Sequence, residues 1–217
     1  MGQGTDIWRC VAACAVLIVT GSACGSGPPA DPKATRTPLP TDPISEACVG
    51  IFDGPAEAEL RERLGSDRVP RDSPLDTFAV AASRLSEKEN VDTIYPGCDV
   101  PYPSKRTFNI TVRWAPSPIP AKTASSKQTT VFQAGENAQI EQTGPSAMTF
   151  NARCANKAVA MGGEGQPPLQ GVLKDELGLS ERTRLTALTH AISQVVAHMG
   201  CAADLPGPAD IKKLPRR

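Results

Sequence analysis

Four cysteines, Cys48, Cys98, Cys154 and Cys201, have the residue type and spacing that point most directly to a chemistry. Successive ones are separated by about 50 residues, whereas the cysteines of a zinc site come in close pairs. Oxidation to two disulfides fits better, and four cysteines allow three connectivities. We favour Cys48–Cys98 and Cys154–Cys201, because each pair stays within one half of the chain. In the chain-entropy model, closing each loop with a disulfide would stabilise the folded state by about 4 kcal/mol.

Other groups of polar residues are weaker candidates for chemistry. His190 and His198 lie about 80° apart around a helix, which is poor geometry for a shared metal. The run Gly162–Gly165 lacks the lysine and hydroxyl of a phosphate-binding loop. Asp53 and Glu57 lie one turn apart, as acid pairs can, but a solvated helix start is the simpler interpretation. No GxSxG, SxxK or HExxH motif occurs. We therefore assign no catalytic residue, no metal ligand and no cofactor.

Three aromatic residues give one weak indication of binding. Tyr95, Tyr102 and Trp114 lie beside prolines, and aromatic and proline surfaces can bind peptides or sugars. The same residues also close the ends of sheets, and this is the interpretation that we favour.

The first 23 residues have the pattern of an export signal. Arg9 precedes a short apolar run, Val11–Val19, which is too short to span a membrane. The following Thr20–Cys24 (TGSAC) resembles the lipobox of bacterial lipoproteins, although Gly21 stands where an aliphatic residue is usual. The resemblance implies that Cys24 carries a diacylglycerol and becomes the mature N-terminus. The alternative is an ordinary secretory leader, cut after Ala23.

A proline-rich tether is predicted over residues 24–44. It contains six prolines and no apolar periodicity, so it should be extended at roughly 3 Å per residue. The whole chain has 23 basic and 23 acidic residues, and this balance gives no electrostatic reason to expect nucleic acid as a partner. The expected contact with the membrane is the lipid on Cys24.

Apolar periodicity predicts a single α+β domain over residues 45–206, followed by a disordered tail over 207–217. The pattern is typical of a small antiparallel sheet packed by helices on one side and stabilised by two disulfides. Helices are predicted at 55–64, from Ser73 onward, at 169–177 and at 181–199. Strands are predicted at 107–114, 129–133, 138–142 and 146–154.

The layout of the mature chain resembles that of uncharacterised exported lipoproteins of actinobacteria, the high-GC Gram-positive bacteria. The resemblance rests on Cys24 and its tether, the segment Glu46–Phe52 (EACVGIF), the cysteine-ended strand Phe150–Cys154 and the helix end Val196–Cys201 (VAHMGC). It implies attachment to the extracytoplasmic face of the cell membrane. Such proteins have no established catalytic residues, so the resemblance transfers none.

The sequence therefore predicts a cell-envelope lipoprotein that acts as a non-catalytic binding or accessory module. Its expected partners are the membrane, through the lipid, and an envelope protein or glycan. The alternative is a cell-envelope hydrolase that uses carboxylates alone. A transporter's solute-binding protein is disfavoured, because such proteins usually have two larger α/β lobes.

Overall fold

The computed structural model describes residues 40–70, 78–87, 92–101, 107–115, 125–154, 167–201 and 205–215. The export signal, Cys24, most of the tether, Tyr102 and Gly162–Gly165 lie outside the described residues. The described elements are, in chain order, β1 (Thr41–Pro43), a 3-10 segment (Ile44–Gly50), α1 (Gly54–Leu64), β2 (Arg68–Pro70), α2 (Phe78–Ser86), β3 (Tyr95–Pro101), β4 (Thr107–Trp114), β5 (Thr129–Gln133), β6 (Ala138–Thr143), β7 (Ala147–Ala152), β8 (Leu169–Asp175), α3 (Glu181–Met199), a 3-10 turn (Pro208–Asp210) and β9 (Lys212–Lys213).

Seven strands form one antiparallel sheet in the order β3-β4-β8-β7-β6-β5-β9, and β1 pairs with β2 in a separate two-stranded sheet. The main sheet follows from period-two alternation, which is clearest in β4. There Phe108, Ile110, Val112 and Trp114 are buried and the residues between them are half-buried. The predicted α+β class is confirmed.

The helices pack on the apolar face of this sheet, with α2 over β3 and β4 and α3 over β8 and β7. Helix α3 begins and ends where the sequence predicts. The side chain of Ser180 accepts a hydrogen bond from the Thr183 backbone N–H, and Gly200 ends the helix in the left-handed conformation. Beneath α3, a Cβ at Gly171 would collide with the Ile192 side chain. Strand β8 therefore needs glycine at this position.

Residues Leu169–Leu177, predicted as a short helix, are instead strand β8 up to Asp175. The prediction was wrong because the apolar Leu169 and Leu173 lie four residues apart, a spacing that fits either structure. The intervening Gly171 is buried as well, so the burial pattern has the period of a strand. Pairing on both sides, with β4 and β7, fixes that choice.

Two boundaries also differ from the sequence expectation. The end of the predicted tether forms β1, whose residues Thr41–Pro43 pair with Arg68–Pro70. The predicted tail contains a 3-10 turn and strand β9, which pairs with β5. Both segments are polar and proline-rich, and their structure comes from hydrogen bonds to a distant partner. Local sequence patterns carry no signal for such pairing.

Candidate functional site

Both disulfides are present with the favoured connectivity. Cys48 and Cys98 are 50 residues apart in sequence, Cys154 and Cys201 are 47 apart, and the Cα atoms of each pair are separated by 5.1 Å. The first bond joins the 3-10 segment to β3, a strand at one edge of the sheet. The second joins the chain just after β7 to the end of α3. Each disulfide therefore ties the sheet to the layer that covers it.

The backbone beside the first disulfide has an unusual conformation. Cys48 and Val49 have φ values of 51° and 60°, and they are the non-glycine residues with positive φ in the described part of the chain. A β-branched residue pays a steric cost there. Val49 is 49% exposed. The backbone carbonyl of Val49 accepts a hydrogen bond of 3.2 Å from Gln194 Nε2 on α3.

Asp175, at the end of β8, is the most deeply buried carboxylate described, with 1% of its surface exposed. Its Oδ1 accepts hydrogen bonds from the backbone N–H groups of Leu177 and Gly178, and its Oδ2 accepts one from Leu179. The Arg184 guanidinium lies 3.9 Å away. Burial raises the pKa of Asp175, and the hydrogen bonds and Arg184 oppose that rise.

A second carboxylate, Glu59 on α1, reaches the start of α3. It accepts hydrogen bonds from the backbone N–H and hydroxyl of Ser180 and from the hydroxyl of Thr183. Partial burial by itself would raise the pKa of Glu59. The hydrogen bonds from Thr183 and Ser180, with the nearby Arg63, outweigh it and lower the pKa.

Asp175 and Glu59 accept hydrogen bonds from the adjacent residues Leu179 and Ser180 and have opposite pKa shifts, a combination known from acid–base catalysis. Here both oxygens of Asp175 are already occupied by backbone donors, and no part of its side chain reaches solvent. Both carboxylates are therefore used to fix the loop before α3 and the first turn of that helix. Neither Asp53 nor Glu57 joins them: Asp53 is exposed before α1, and Glu57 forms an ion pair with Arg61.

The remaining sequence candidates are separate from one another. Trp114 is buried and donates its indole N–H to the carbonyl of Leu85, so it is part of the core. Tyr95 is half-buried and packs against that core. His190 is half-buried and His198 is exposed on α3. Within the described ranges, no three His, Cys, Asp or Glu residues are placed to hold a metal ion.

A row of long polar side chains crosses the sheet on the face opposite the helices. The strand register aligns, from β4 through β8, β7 and β6 to β5, the residues Arg113, Gln170, Asn151, Gln139 and Gln133. Neighbouring strands lie about 4.8 Å apart, so the side chains are close enough to bond. We call these five residues the polar row.

Hydrogen bonds fix the orientation of the first three side chains of the polar row. Arg113 Nε donates to Gln170 Oε1 at 2.7 Å, and Gln170 Nε2 donates to Asn151 Oδ1 at 2.9 Å. Asn151 and Gln139 are buried, whereas Arg113 and Gln170 are half-buried. The two Nη groups of Arg113 make no hydrogen bond to any other described residue. The Arg113 end of the row therefore presents oriented, uncommitted donors.

Alternation over 107–114 puts Arg113 on the polar face of its strand, but the row itself cannot be seen in the sequence. The row depends on which residues of five strands lie side by side, and that register is not visible in a single sequence. One usable signal was present. Gln or Asn alternates with apolar or small residues in Gln139–Ile140, Phe150–Asn151 and Gln170–Gly171.

Two further findings bear on function. None of the helices in the described residues is both long and apolar enough to cross a membrane. No protein-family model, curated protein or solved structure was found to match this chain.

Proposed function

We propose that this chain is exported, is attached to the outer face of the cytoplasmic membrane by a lipid on Cys24, and binds an envelope glycan at the Arg113 end of the polar row. The hydrogen-bonded polar row is the observation that carries the binding proposal. The location rests on the sequence of the leader and on the disulfides.

The two disulfides support an extracytoplasmic location, because such bonds persist in oxidising compartments and are rare in the cytosol. The leader, the lipobox-like Thr20–Cys24 and the tether are consistent with this. About 16 residues separate Cys24 from β1, and at roughly 3 Å per residue they reach about 50 Å. A diacyl group supplies two chains, which is enough for stable attachment.

The chemistry of the polar row favours a glycan over a protein partner. Guanidinium groups donate hydrogen bonds to the hydroxyl and carboxylate oxygens of sugars, and side-chain amides both donate to and accept from sugar hydroxyls. Arg113 and the half-buried Gln170 place one group of each kind side by side. The cores of protein interfaces are enriched in aromatic residues, Met and Arg. Of these the polar row contains only Arg113, and the adjacent residues on the same face are Thr111, Val172 and Thr149.

The attachment can be tested with two leader variants. We expect Cys24→Ala to abolish incorporation of a labelled fatty acid and to release the protein from the membrane fraction. Cys14→Ala is the matched control, since Cys14 follows similar small residues (VAAC) within the leader. A Cys24→Ala protein that remains membrane-bound would contradict the lipid anchor without affecting the binding proposal.

The binding can be tested with purified cell-wall glycan in a sedimentation assay. Arg113→Ala removes the uncommitted donors and should weaken binding about tenfold, as expected for the loss of a charged hydrogen bond. Arg182→Ala is the control, because Arg182 is an exposed arginine on α3, on the opposite side of the sheet. Equal binding by wild type and both variants, or no binding at all, would reject the glycan site.

The carboxylate hydrolase stays a prediction from the sequence. Its test is the conversion of a cell-wall substrate by the purified protein, with loss of that conversion on substituting a single Asp or Glu by its amide.

A further inference from the structure

The outward side chains of β4 and β8, two strands that the structure describes throughout, include two cations and no acid. Alternation along each strand, with Arg113 opposite Gln170 and Asn109 opposite Lys174, places them on the face away from the helices. These outward residues are Thr107, Asn109, Thr111, Arg113, Gln170, Val172 and Lys174. The next strand, β7, adds Ala147, Thr149 and Asn151, which carry no charge. This part of the sheet face is therefore positively charged.

The free part of the Arg113 guanidinium is its outer end. Its Nε donates to Gln170 Oε1 at 2.7 Å, and Gln170 is held in turn by a 2.9 Å hydrogen bond to Asn151. The two Nη groups, which bond to no other described residue, remain as a planar fork. Two parallel N–H groups match the two oxygens of a carboxylate, whereas a sugar hydroxyl offers one oxygen. The fixed fork therefore favours a carboxylate as its ligand.

Lys174 supplies a second positive charge on the same face. It is exposed, and it forms no ion pair or hydrogen bond with a described residue. It lies four residues along β8 from Gln170, the partner of Arg113, so the Cα atoms of the two cations are about 14 Å apart. Thr111 and Val172 lie between them. They offer a hydroxyl and an apolar surface to a sugar ring.

Two acids border this part of the sheet face, and both have other contacts. Asp99 faces Asn109 from β3, is half-buried and has a partner of its own. Glu141 on β6 accepts a hydrogen bond of 2.7 Å from Gln139 Nε2. Among the described ion pairs, none joins either acid to Arg113 or Lys174. The charge of both cations is therefore available to a ligand.

We propose, resting on the glycan site above, that the ligand is an acidic glycan whose carboxylates bind Arg113 and Lys174. One carboxylate lies end-on across the two Nη groups of Arg113. A second, a few sugar units along the chain, pairs with the Lys174 ammonium. The glycan runs along β4 and β8 rather than across the sheet. The reason is that Asn151 and Gln139 are only 7% and 6% exposed, so the middle of the polar row offers little contact surface.

The test compares cell-wall glycan before and after its carboxylates are chemically reduced to alcohols, which removes charge and preserves chain length. Wild type should bind the reduced glycan at least tenfold more weakly, because charge-assisted hydrogen bonds are lost. Arg113→Ala should lose most of this preference, and Lys174→Ala about threefold of it, as expected for an exposed ion pair. The double variant should bind both glycans equally. Lys127→Ala with Arg182→Ala is the charge-matched control, since these exposed residues lie before β5 and on α3.

The reduced glycan distinguishes this inference from the proposed function. Equal binding of both glycans by wild type would overturn the acidic ligand and leave the glycan site standing, whereas binding of neither would overturn both. A preference that persists in the double variant, or that is also lost in the control, would overturn the assignment to Arg113 and Lys174.

Arg113→Lys tests the fork separately from the charge. It keeps the positive charge and loses the two parallel N–H groups, so it should behave like Arg113→Ala. Full retention of the preference by Arg113→Lys would overturn the end-on geometry.

Discussion

The two edges of the main sheet are closed in different ways. At the β3 edge, a disulfide, a bulge and two prolines fix the strand permanently. At the β5 edge, two lysines, one leucine N–H and a serine hydroxyl cover the strand without a covalent bond. Both devices prevent edge-to-edge association. The difference is that the first cannot be opened without reduction, whereas the second is held by non-covalent contacts alone.

The largest change in stability should come from removing the Cys48–Cys98 disulfide at the β3 edge. We expect Cys48→Ala with Cys98→Ala to lower the free energy of unfolding by about 4 kcal/mol, because the bond closes a long loop in the unfolded chain. Urea unfolding followed by circular dichroism measures it. Removing Cys154 and Cys201 together is the matched control, with a loop of nearly equal length. If only the removal of Cys154 and Cys201 lowered the free energy of unfolding, the Cys48–Cys98 disulfide would not stabilise the fold.

The bulge in β3 can be tested by adding one carbon atom. A Cβ at Gly97 would lie 2.5 Å from Cε1 of Phe78 on α2, so Gly97→Ala should cost about 2 kcal/mol through overpacking. Phe78→Leu provides space, and the cost of Gly97→Ala should shrink in that background. Additive losses in the double variant would show that the bulge does not depend on this contact.

Helix α3 carries Glu181, which forms an ion pair with Lys213, and Glu59 fixes the start of that helix. Glu59→Gln should cost about 1 kcal/mol at pH 7, the size of a capping interaction. The pKa of Glu59 is lowered in the folded protein, so its contribution is complete above about pH 4.5 and is lost as the pH falls through the folded-state value. The raised pKa of Asp175 acts in the opposite direction, so the measurement is the difference between wild type and variant.

Urea unfolding at pH 7 and pH 3 would supply that difference. It should be larger at pH 7 than at pH 3. A difference that is the same at both values would mean that the Glu59 charge contributes nothing.

The smallest change in stability concerns the backbone at Val49, beside the Cys48–Cys98 disulfide. Val49→Gly should raise the free energy of unfolding by about 0.5 kcal/mol, because relief at φ 60° outweighs the greater freedom of glycine in the unfolded chain. Ile94→Gly is the control, since Ile94 is similarly exposed and lacks a positive φ. It should be neutral or destabilising. Equal loss in both variants would remove the argument for strain at Val49.

Elements with a strong local pattern were predictable from the sequence. Helix α3 has apolar residues at steps of three and four, a serine cap and a terminal glycine, and its bounds are confirmed. Strand β4 alternates over its full length and is also confirmed. The pairing of the cysteines followed from keeping each bond within one half of the chain.

Features that depend on distant partners were not predictable. Strand β8 reads as either helix or strand until its neighbours β4 and β7 are known. The segment Lys212–Lys213 has a composition typical of a disordered tail and gains its structure by pairing with β5. The polar row exists only in the register of five strands, so Arg113 could be placed on a face but not beside Gln170.

The position of Cys48 has a mechanical consequence for a chain pulled from its N-terminal side. Tension that enters ahead of Thr41 acts first on β1, which is held to β2 by three residue pairs. Once these pairs separate, the chain between Thr41 and Cys48 lengthens to about 25 Å at most. The load then passes through the disulfide into β3 and is shared by the whole sheet. The chain would thus extend over a short distance that the Cys48–Cys98 disulfide limits, and further extension would require the main sheet to unfold.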